Sequence, residues 1–203
     1  MIFLKFLKLL SDRALPLLFW LLLMLAFDSA SMTVLTVTAA ITHELGHILV
    51  MSLITRNTPA LPRAVISGFR ISPGRILSYK EEAILAFGGP ALNLLVFIIL
   101  IPFFRSDYIF MFAVLNLLTA ISNLIPINGY DGYRILRAVL YRFNTPNLCE
   151  RILSASSLLF SAFAVFSSLF FILKIGEGYW VFAVFFAILI KDILKMNAHI
   201  GEV

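Results

Sequence analysis

Hydrophobic residues run along this chain in long stretches, and short segments between them carry most of the charge. A helix needs about 20 residues to cross a hydrocarbon core of roughly 30 Å. The pattern predicts six such helices, at about 9–27, 31–54, 82–103, 108–125, 151–173 and 179–194. The first is the weakest, because its strictly apolar part covers only residues 14–27. The chain is therefore predicted to be an all-α polytopic membrane protein.

Two segments interrupt the helical pattern. Residues 56–80 carry three prolines and two glycines around "AVISGFRIS", which predicts a short membrane-associated β-hairpin with its turn at 72–74. The second, "NLIPINGYDGYRIL" at 123–136, predicts a helix break at Pro126, a turn at Asn128–Gly129 and a new helix near Asp131. We expect one transmembrane domain over residues 1–203, with a core at 31–140 and additional spans at 151–194.

Composition and charge agree with a membrane location. Of 203 residues, 61% are hydrophobic and 13% are charged, whereas a soluble domain carries about 25% charged residues. The basic residues lie between apolar runs instead of clustering with aromatics, which argues against nucleic acid as a partner. With six spans, fourteen of the sixteen Lys and Arg residues fall on the side of the N-terminus. The positive-inside rule then predicts that both termini are cytoplasmic.

The second predicted span contains ionisable residues in its middle, in "ITHELGHIL". His43 and His47 are four residues apart, so on a helix they share one face, close to the bilayer midplane. With Glu44 they form the H-E-x-x-H pattern, in which two imidazoles bind Zn²⁺ and the carboxylate is a general base. The alternative is polar packing between helices. Each charged group costs on the order of 2.5–3.5 kcal/mol at mid-bilayer, which favours a metal site.

A catalytic zinc site needs a third protein ligand and keeps one position open. Cys149 is the only cysteine, which excludes a thiolate cluster, and the remaining histidine, His199, lies near the C-terminus. Asp131 is the carboxylate outside the motif that falls in a membrane-side kink, although a helix N-cap is an alternative role for it. The other aspartates occupy positions typical of interfacial acids: Asp12, Asp28, Asp107 and Asp192.

Three separated motifs resemble those of the site-2 proteases, a family of intramembrane zinc metalloproteases. They are "HELGH" at 43–47, "GGPALN" at 88–93 and "NLIPINGYDG" at 123–132. With the intervening hairpin, the resemblance covers about residues 31–140. The short chain is most similar to the subgroup related to the sporulation-specific protease that processes a sigma-factor precursor. It has no room for the PDZ or CBS domains of other subgroups.

The resemblance implies that one Zn²⁺ per chain is held by His43, His47 and Asp131, and that Glu44 is the general base. It implies cleavage of a peptide bond within or near the transmembrane segment of a membrane-tethered substrate in the lipid bilayer. Substrate classes are transcription-factor precursors, anti-sigma factors and signal-peptide remnants. The family commonly has Pro-Leu-Asp-Gly-Gly where this chain has Gly129-Tyr130-Asp131-Gly132-Tyr133. The aspartate and the glycine after it are the same, and the other three residues differ.

Further residues are assigned by motif position. Asn123 either donates to the oxyanion or substrate backbone, or satisfies a carbonyl freed by the Pro126 break. Asn93 is interpreted as structural, with a substrate contact as the alternative. Substrate is expected to pair with an edge strand near Val65, Ile66 and Phe69, because a helix hides its own peptide bonds. The alternative functions are a membrane zinc carrier and a catalytically inactive zinc-binding scaffold.

Overall fold

The computed structural model describes residues 29–55, 63–65, 68–70, 76–175 and 179–200. The chain divides into two compact units, Met1–Ser122 and Asn123–Val203. The weakest predicted span, 9–27, lies outside the described residues, as does the predicted turn at 72–74. That one domain accounts for the whole chain stays a prediction.

Within the part of the first unit that the structure describes, from residue 29 onward, there are three α-helices. They are α1 (Ala30–Thr55), α2 (Tyr79–Leu100), which continues into a 3₁₀ turn (Ile101–Phe103), and most of α3 (Asp107–Leu124). Helix α2 begins at a capping box, in which the Ser78 hydroxyl accepts from the Glu81 amide and the Glu81 carboxylate accepts from the Ser78 amide. Helices α1 and α2 pack against each other, and this contact carries the site described below.

Two short strands lie between α1 and α2. Strands β1 (Arg63–Val65) and β2 (Gly68–Arg70) pair antiparallel, with Ala64 opposite Phe69. This register places the chain reversal between Val65 and Gly68, ahead of the turn predicted at 72–74. Ile66, predicted to contact substrate, lies outside the described residues. Association of the pair with the membrane stays a prediction.

The second unit contains α4 (Asp131–Phe143), α5 (Pro146–Ile175) and α6 (Tyr179–Ile200), and α5 packs against both others. The predicted break and restart before α4 are confirmed, because α3 ends at Leu124 and α4 begins at Asp131. Gly129 has a φ of 105°, a conformation that favours glycine. A Cβ on Gly132 would collide with the Leu124 carbonyl, so glycine also permits this tight connection.

Four helices among the described residues are long and apolar enough to cross a membrane. They cover Ala30–Thr55, Tyr79–Phe103, Asp107–Leu124 and Pro146–Lys174, and they correspond to four of the predicted spans. The predicted span at 179–194 falls within α6, which continues to Ile200 and is not among these four. The four helices indicate an integral membrane protein, and the count of six spans stays a prediction.

Burial within these helices is the reverse of that in a soluble protein. Large apolar side chains face outward, among them Leu53, Ile98 and Phe163. Most of the buried positions instead hold small or polar residues, including Ala39, Ala86, Ala113, Asn93, Asn116, Ser157 and Ser161. Small residues let helix backbones approach, and polar side chains hydrogen-bond between helices where lipid offers no partner. The interior is therefore the place where polar chemistry is concentrated.

Candidate metal centre

Helix α1 brings the two motif histidines together inside the first unit. His43 and His47 are each only 6% exposed, although they lie in an apolar helix. Their spacing of four residues puts both rings on one face, and the two rings meet edge to face with centroids 4.8 Å apart. The two Nε2 atoms lie 3.2 Å from each other.

The tautomer of His47 follows from its partner on α2. Its Nδ1 lies 2.8 Å from the backbone carbonyl oxygen of Leu85. A carbonyl oxygen only accepts hydrogen bonds, so Nδ1 carries the proton and donates it. The Nε2 of a neutral His47 ring consequently presents a lone pair toward His43. A backbone carbonyl in this position is a common means of orienting a metal-ligating imidazole.

The tautomer of His43 is fixed by a network of two buried asparagines. Asn93 is fully buried, and its Nδ2 lies 3.1 Å from the Ala39 carbonyl and 2.7 Å from Asn116 Oδ1. Asn116 Nδ2 in turn donates to the Phe112 carbonyl at 2.8 Å, which fixes the Asn116 amide orientation. Asn93 Oδ1 is therefore an acceptor, 2.8 Å from His43 Nδ1. His43 donates through Nδ1, and its Nε2 also presents a lone pair.

The two Nε2 lone pairs thus converge. The two Nε2 atoms lie 3.2 Å apart, and their lone pairs repel each other when both rings are neutral. A cation that both nitrogens coordinate removes that repulsion. With Zn–N bonds of about 2.0–2.1 Å, a tetrahedral angle places two ligand nitrogens about 3.3 Å apart. The observed separation is close to this value. The imidazole pair therefore fits a tetrahedral metal ion such as Zn²⁺.

Three glycines make room for the imidazole pair. A Cβ on Gly89 of α2 would lie 2.6 Å from His47 Nε2 and 2.7 Å from His43 Nε2. Gly46 lies about one turn of α1 away from His43, opposite Gly88 of α2. A Cβ on Gly46 would collide with the Gly88 carbonyl, and a Cβ on Gly88 would lie 2.8 Å from the Gly46 carbonyl. The close helix approach predicted for Gly88 and Gly89 is confirmed. Gly89 also leaves open the space onto which both Nε2 atoms point.

Glu44 lies beside this pair on α1 and is half-buried. It follows His43 directly, so its carboxylate leaves the helix about 100° around the axis from that ring. A carboxylate held next to two metal-ligating imidazoles is the arrangement in which it serves as a general base.

Asp131 belongs to the second unit, where it is the first residue of α4 and only 6% exposed. One of its oxygens, Oδ1, accepts from the Arg134 guanidinium at 3.1 Å. Its neighbour Tyr130 is the N-cap residue without a side-chain cap, so Asp131 is not the N-cap. Partial burial raises the pKa of Tyr130 to about 12, which keeps its hydroxyl neutral. Asp131 is thus a buried carboxylate, a group that can serve as a metal ligand.

The remaining residues predicted for the site have different surroundings. Asn123 is half-buried in the last turn of α3. Val65 ends β1 and Phe69 lies in the middle of β2. Asn93 uses its oxygen and its amide nitrogen within the protein, so the structure favours its structural interpretation over a substrate contact.

Sequence reasoning missed several supporting groups. Asn116 is fully buried and holds Asn93, yet it belongs to no recognised motif. A polar amide in the middle of the apolar span 108–125 was the available signal. The Leu85 carbonyl that orients His47 had no signal at all, because every residue has a carbonyl group.

The fold and these contacts define an integral membrane protein with a candidate metal centre between its helices. The fold is similar to that of a solved structure, the site-2 protease from Methanocaldococcus jannaschii. The two share 21% sequence identity with a TM-score of 0.60, over 88% of this chain and 85% of that chain. No protein-family model matches the chain, and no curated protein sequence matches it. At this identity the similarity shows a common fold.

Proposed function

We propose that this protein is an intramembrane zinc metalloprotease that cleaves membrane-tethered substrates within or near a transmembrane segment. The observation that carries the proposal is the position of two imidazole nitrogens on the helix that also carries Glu44. The Nε2 atoms of His43 and His47 lie 3.2 Å apart, next to Gly89. The similarity of the fold to a site-2 protease supports it. Each imidazole directs its Nδ1 to an acceptor on another helix, which is the way metal-ligating histidines are commonly oriented.

In this proposal His43, His47 and Asp131 hold one Zn²⁺ per chain. Two neutral imidazoles and a carboxylate are a common ligand set of catalytic zinc. When bound, the ion would lower the pKa of a coordinated water molecule and polarise the carbonyl group of the scissile peptide bond. The Arg134 guanidinium contacts one of the two carboxylate oxygens of Asp131, Oδ1.

The acid–base work falls to Glu44. Its carboxylate takes a proton from the attacking water as the water oxygen bonds to the scissile carbonyl carbon. When the C–N bond breaks, Glu44 returns that proton to the leaving nitrogen. Asn123 is proposed to donate a hydrogen bond to the oxyanion or to the substrate backbone. Asn93 and Asn116 take no part in proton transfer, and they keep the His43 ring oriented.

The substrate is proposed to bind in extended form along the β1–β2 pair, through Val65, Ile66 and Phe69. An exposed strand edge offers main-chain hydrogen bonds to a peptide that has left its helix. We expect Phe69→Pro, which removes one backbone N–H, to reduce cleavage while zinc content is unchanged. Phe69→Leu keeps that N–H and is the control. Equal cleavage by both variants would rule out the edge-strand mode.

The substrate class and the topology extend the proposal. Tethered transcription-factor precursors, anti-sigma factors and signal-peptide remnants all present a single apolar span to a protease in the bilayer. Similarity to the subgroup of the sporulation-specific protease is proposed from the predicted span count. Six spans with both termini in the cytoplasm rest on the bias of the basic residues. Cysteines introduced at the two termini are expected to resist a membrane-impermeant thiol reagent in intact cells, and labelling of either one would contradict that topology.

Removing the metal tests the proposed function. We expect the purified protein in lipid vesicles to cleave a tethered reporter, to stop after treatment with a zinc chelator, and to recover when one equivalent of zinc is added. Metal content is measured in parallel by elemental analysis. Cleavage by metal-free protein would contradict the proposal. Zinc binding without any cleavage would favour the zinc carrier or the inactive scaffold.

A further inference from the structure

A buried polar cluster lies in the second unit, away from the motif residues. Asp192 of α6 is 7% exposed and Ser157 of α5 is 2% exposed. Ser157 bonds both to Asp192 and to the backbone amide of Asn128, in the loop that precedes α4. The sequence pattern suggested that Asp192 is an ordinary interfacial acid, and its burial shows that this was wrong. A buried carboxylate is costly unless it is hydrogen-bonded, so this contact requires an explanation.

The direction of the hydrogen bonds can be assigned from their chemistry. The Asn128 amide donates to Ser157 Oγ at 2.7 Å. A serine hydroxyl has one proton, and Ser157 Oγ lies 2.5 Å from Asp192 Oδ2, which accepts it. The chain of donation runs from Asn128 through Ser157 to Asp192.

The loop held in this way is the loop that leads to Asp131. Only Gly129 and Tyr130 separate Asn128 from Asp131, and the Tyr130 amide donates to the Ile127 carbonyl at 2.9 Å within the same turn. Ile127 is fully buried. A restraint on Asn128 therefore fixes the start of α4 and with it the carboxylate of Asp131.

We propose that Ser157 and Asp192 are positioning residues that set the metal affinity of Asp131 by holding its loop. This inference rests on the proposed function, in which Asp131 is the third ligand. Groups behind a metal ligand commonly change affinity by about 10–100-fold when they are removed. Through this contact, the helix pair α5–α6 acts on the metal centre without supplying a ligand.

A small polar cavity adjoins the hydrogen-bonded chain. It is lined by Asn128, Tyr133, Ser154, Ser157 and Asp192 and has a volume of about 10 Å³, close to what one water molecule requires. Ser157 borders this cavity. Ser157→Thr is the conservative variant, because it keeps the hydroxyl and adds one methyl group.

The test compares three single variants in the full-length protein. Ser157→Ala removes the hydroxyl, and Ser157→Thr restores it. Ser161→Ala is the matched control, because Ser161 is also fully buried on α5 but bonds to the Leu158 carbonyl of its own helix. Zinc affinity is measured by chelator competition, and the absorption spectrum of the cobalt-substituted protein reports ligand geometry. Amide hydrogen exchange of residues 125–132 is measured on metal-free protein.

We expect Ser157→Ala to weaken zinc binding about 10–100-fold, to shift the cobalt spectrum and to speed exchange in the loop. Ser157→Thr and Ser161→Ala should stay close to wild type in all three measurements. Unchanged loop exchange in Ser157→Ala would overturn the proposal, as would an equal loss of zinc affinity in Ser161→Ala. The exchange measurement needs no metal, so it decides the role of Ser157 even if wild type binds no zinc. That last outcome would refute the proposed function instead.

Discussion

Replacing Glu44 with glutamine is expected to reduce cleavage by about 10²–10⁴-fold, the usual contribution of a general acid–base group. Glutamine has nearly the shape of glutamate but cannot take a proton from water at neutral pH. His43 donates its Nδ1 proton to Asn93, and His47 donates its Nδ1 proton to the Leu85 carbonyl. Neither hydrogen bond involves Glu44. Zinc content should therefore remain at one ion per chain.

The control for this variant is Glu82→Gln, the same chemical change in the first turn of α2. It should cleave the tethered reporter at the wild-type rate, and both proteins should carry equal zinc. Cleavage by Glu44→Gln at the wild-type rate would refute the protease proposal. Loss of zinc from Glu44→Gln would show that Glu44 is a ligand, which the proposal does not allow.

Replacing Gly89 with alanine is expected to abolish zinc binding and, with it, cleavage. The new methyl carbon would lie 2.6 Å from His47 Nε2 and 2.7 Å from His43 Nε2, where real Cβ contacts essentially do not occur. Either the imidazole rings turn away or α1 and α2 separate. In both cases the two Nε2 atoms can no longer coordinate the same ion. Elemental analysis of purified protein measures the loss directly, without any need for a substrate.

Gly88→Ala separates these two possibilities. It is the same change one residue earlier on α2, but its methyl carbon would meet the Gly46 carbonyl and Val50 at 2.8 Å and not the imidazoles. We expect lower thermal stability with zinc binding retained better than in Gly89→Ala. Equal zinc loss in both variants would mean that helix separation, and not the filled space over the rings, is responsible.

Local sequence relations explain which expectations the structure supports. The spacing of His43 and His47 requires only helical periodicity, and the break at Pro126 with the turn at Gly129 requires only backbone preferences. The four apolar helices follow from composition over about 20 residues. Each of these features depends on residues that are close together in the chain, so each could be predicted.

Contacts between distant segments were not predictable in the same way. Asn93 was interpreted as structural, but its bond to His43 spans 50 positions in the chain, and its bond to Asn116 spans 23. Asp192 looked interfacial because its sequence surroundings are those of a helix end, yet Ser157, 35 residues away, pairs with it inside the unit. Hydrophobic patterns identify which segments enter the membrane and do not identify which of their faces meet.

The sequence by itself determined a membrane-embedded chain with two histidines and a glutamate on one helix, because helix periodicity and hydrocarbon thickness act on contiguous residues. The tertiary structure alone decided which nitrogen of each imidazole is directed to the proposed metal position. That choice depends on acceptors supplied by another helix, the Leu85 carbonyl and Asn93 Oδ1. The two imidazoles also need the space left by the absence of a side chain at Gly89. That need is visible only when α1 and α2 are packed together.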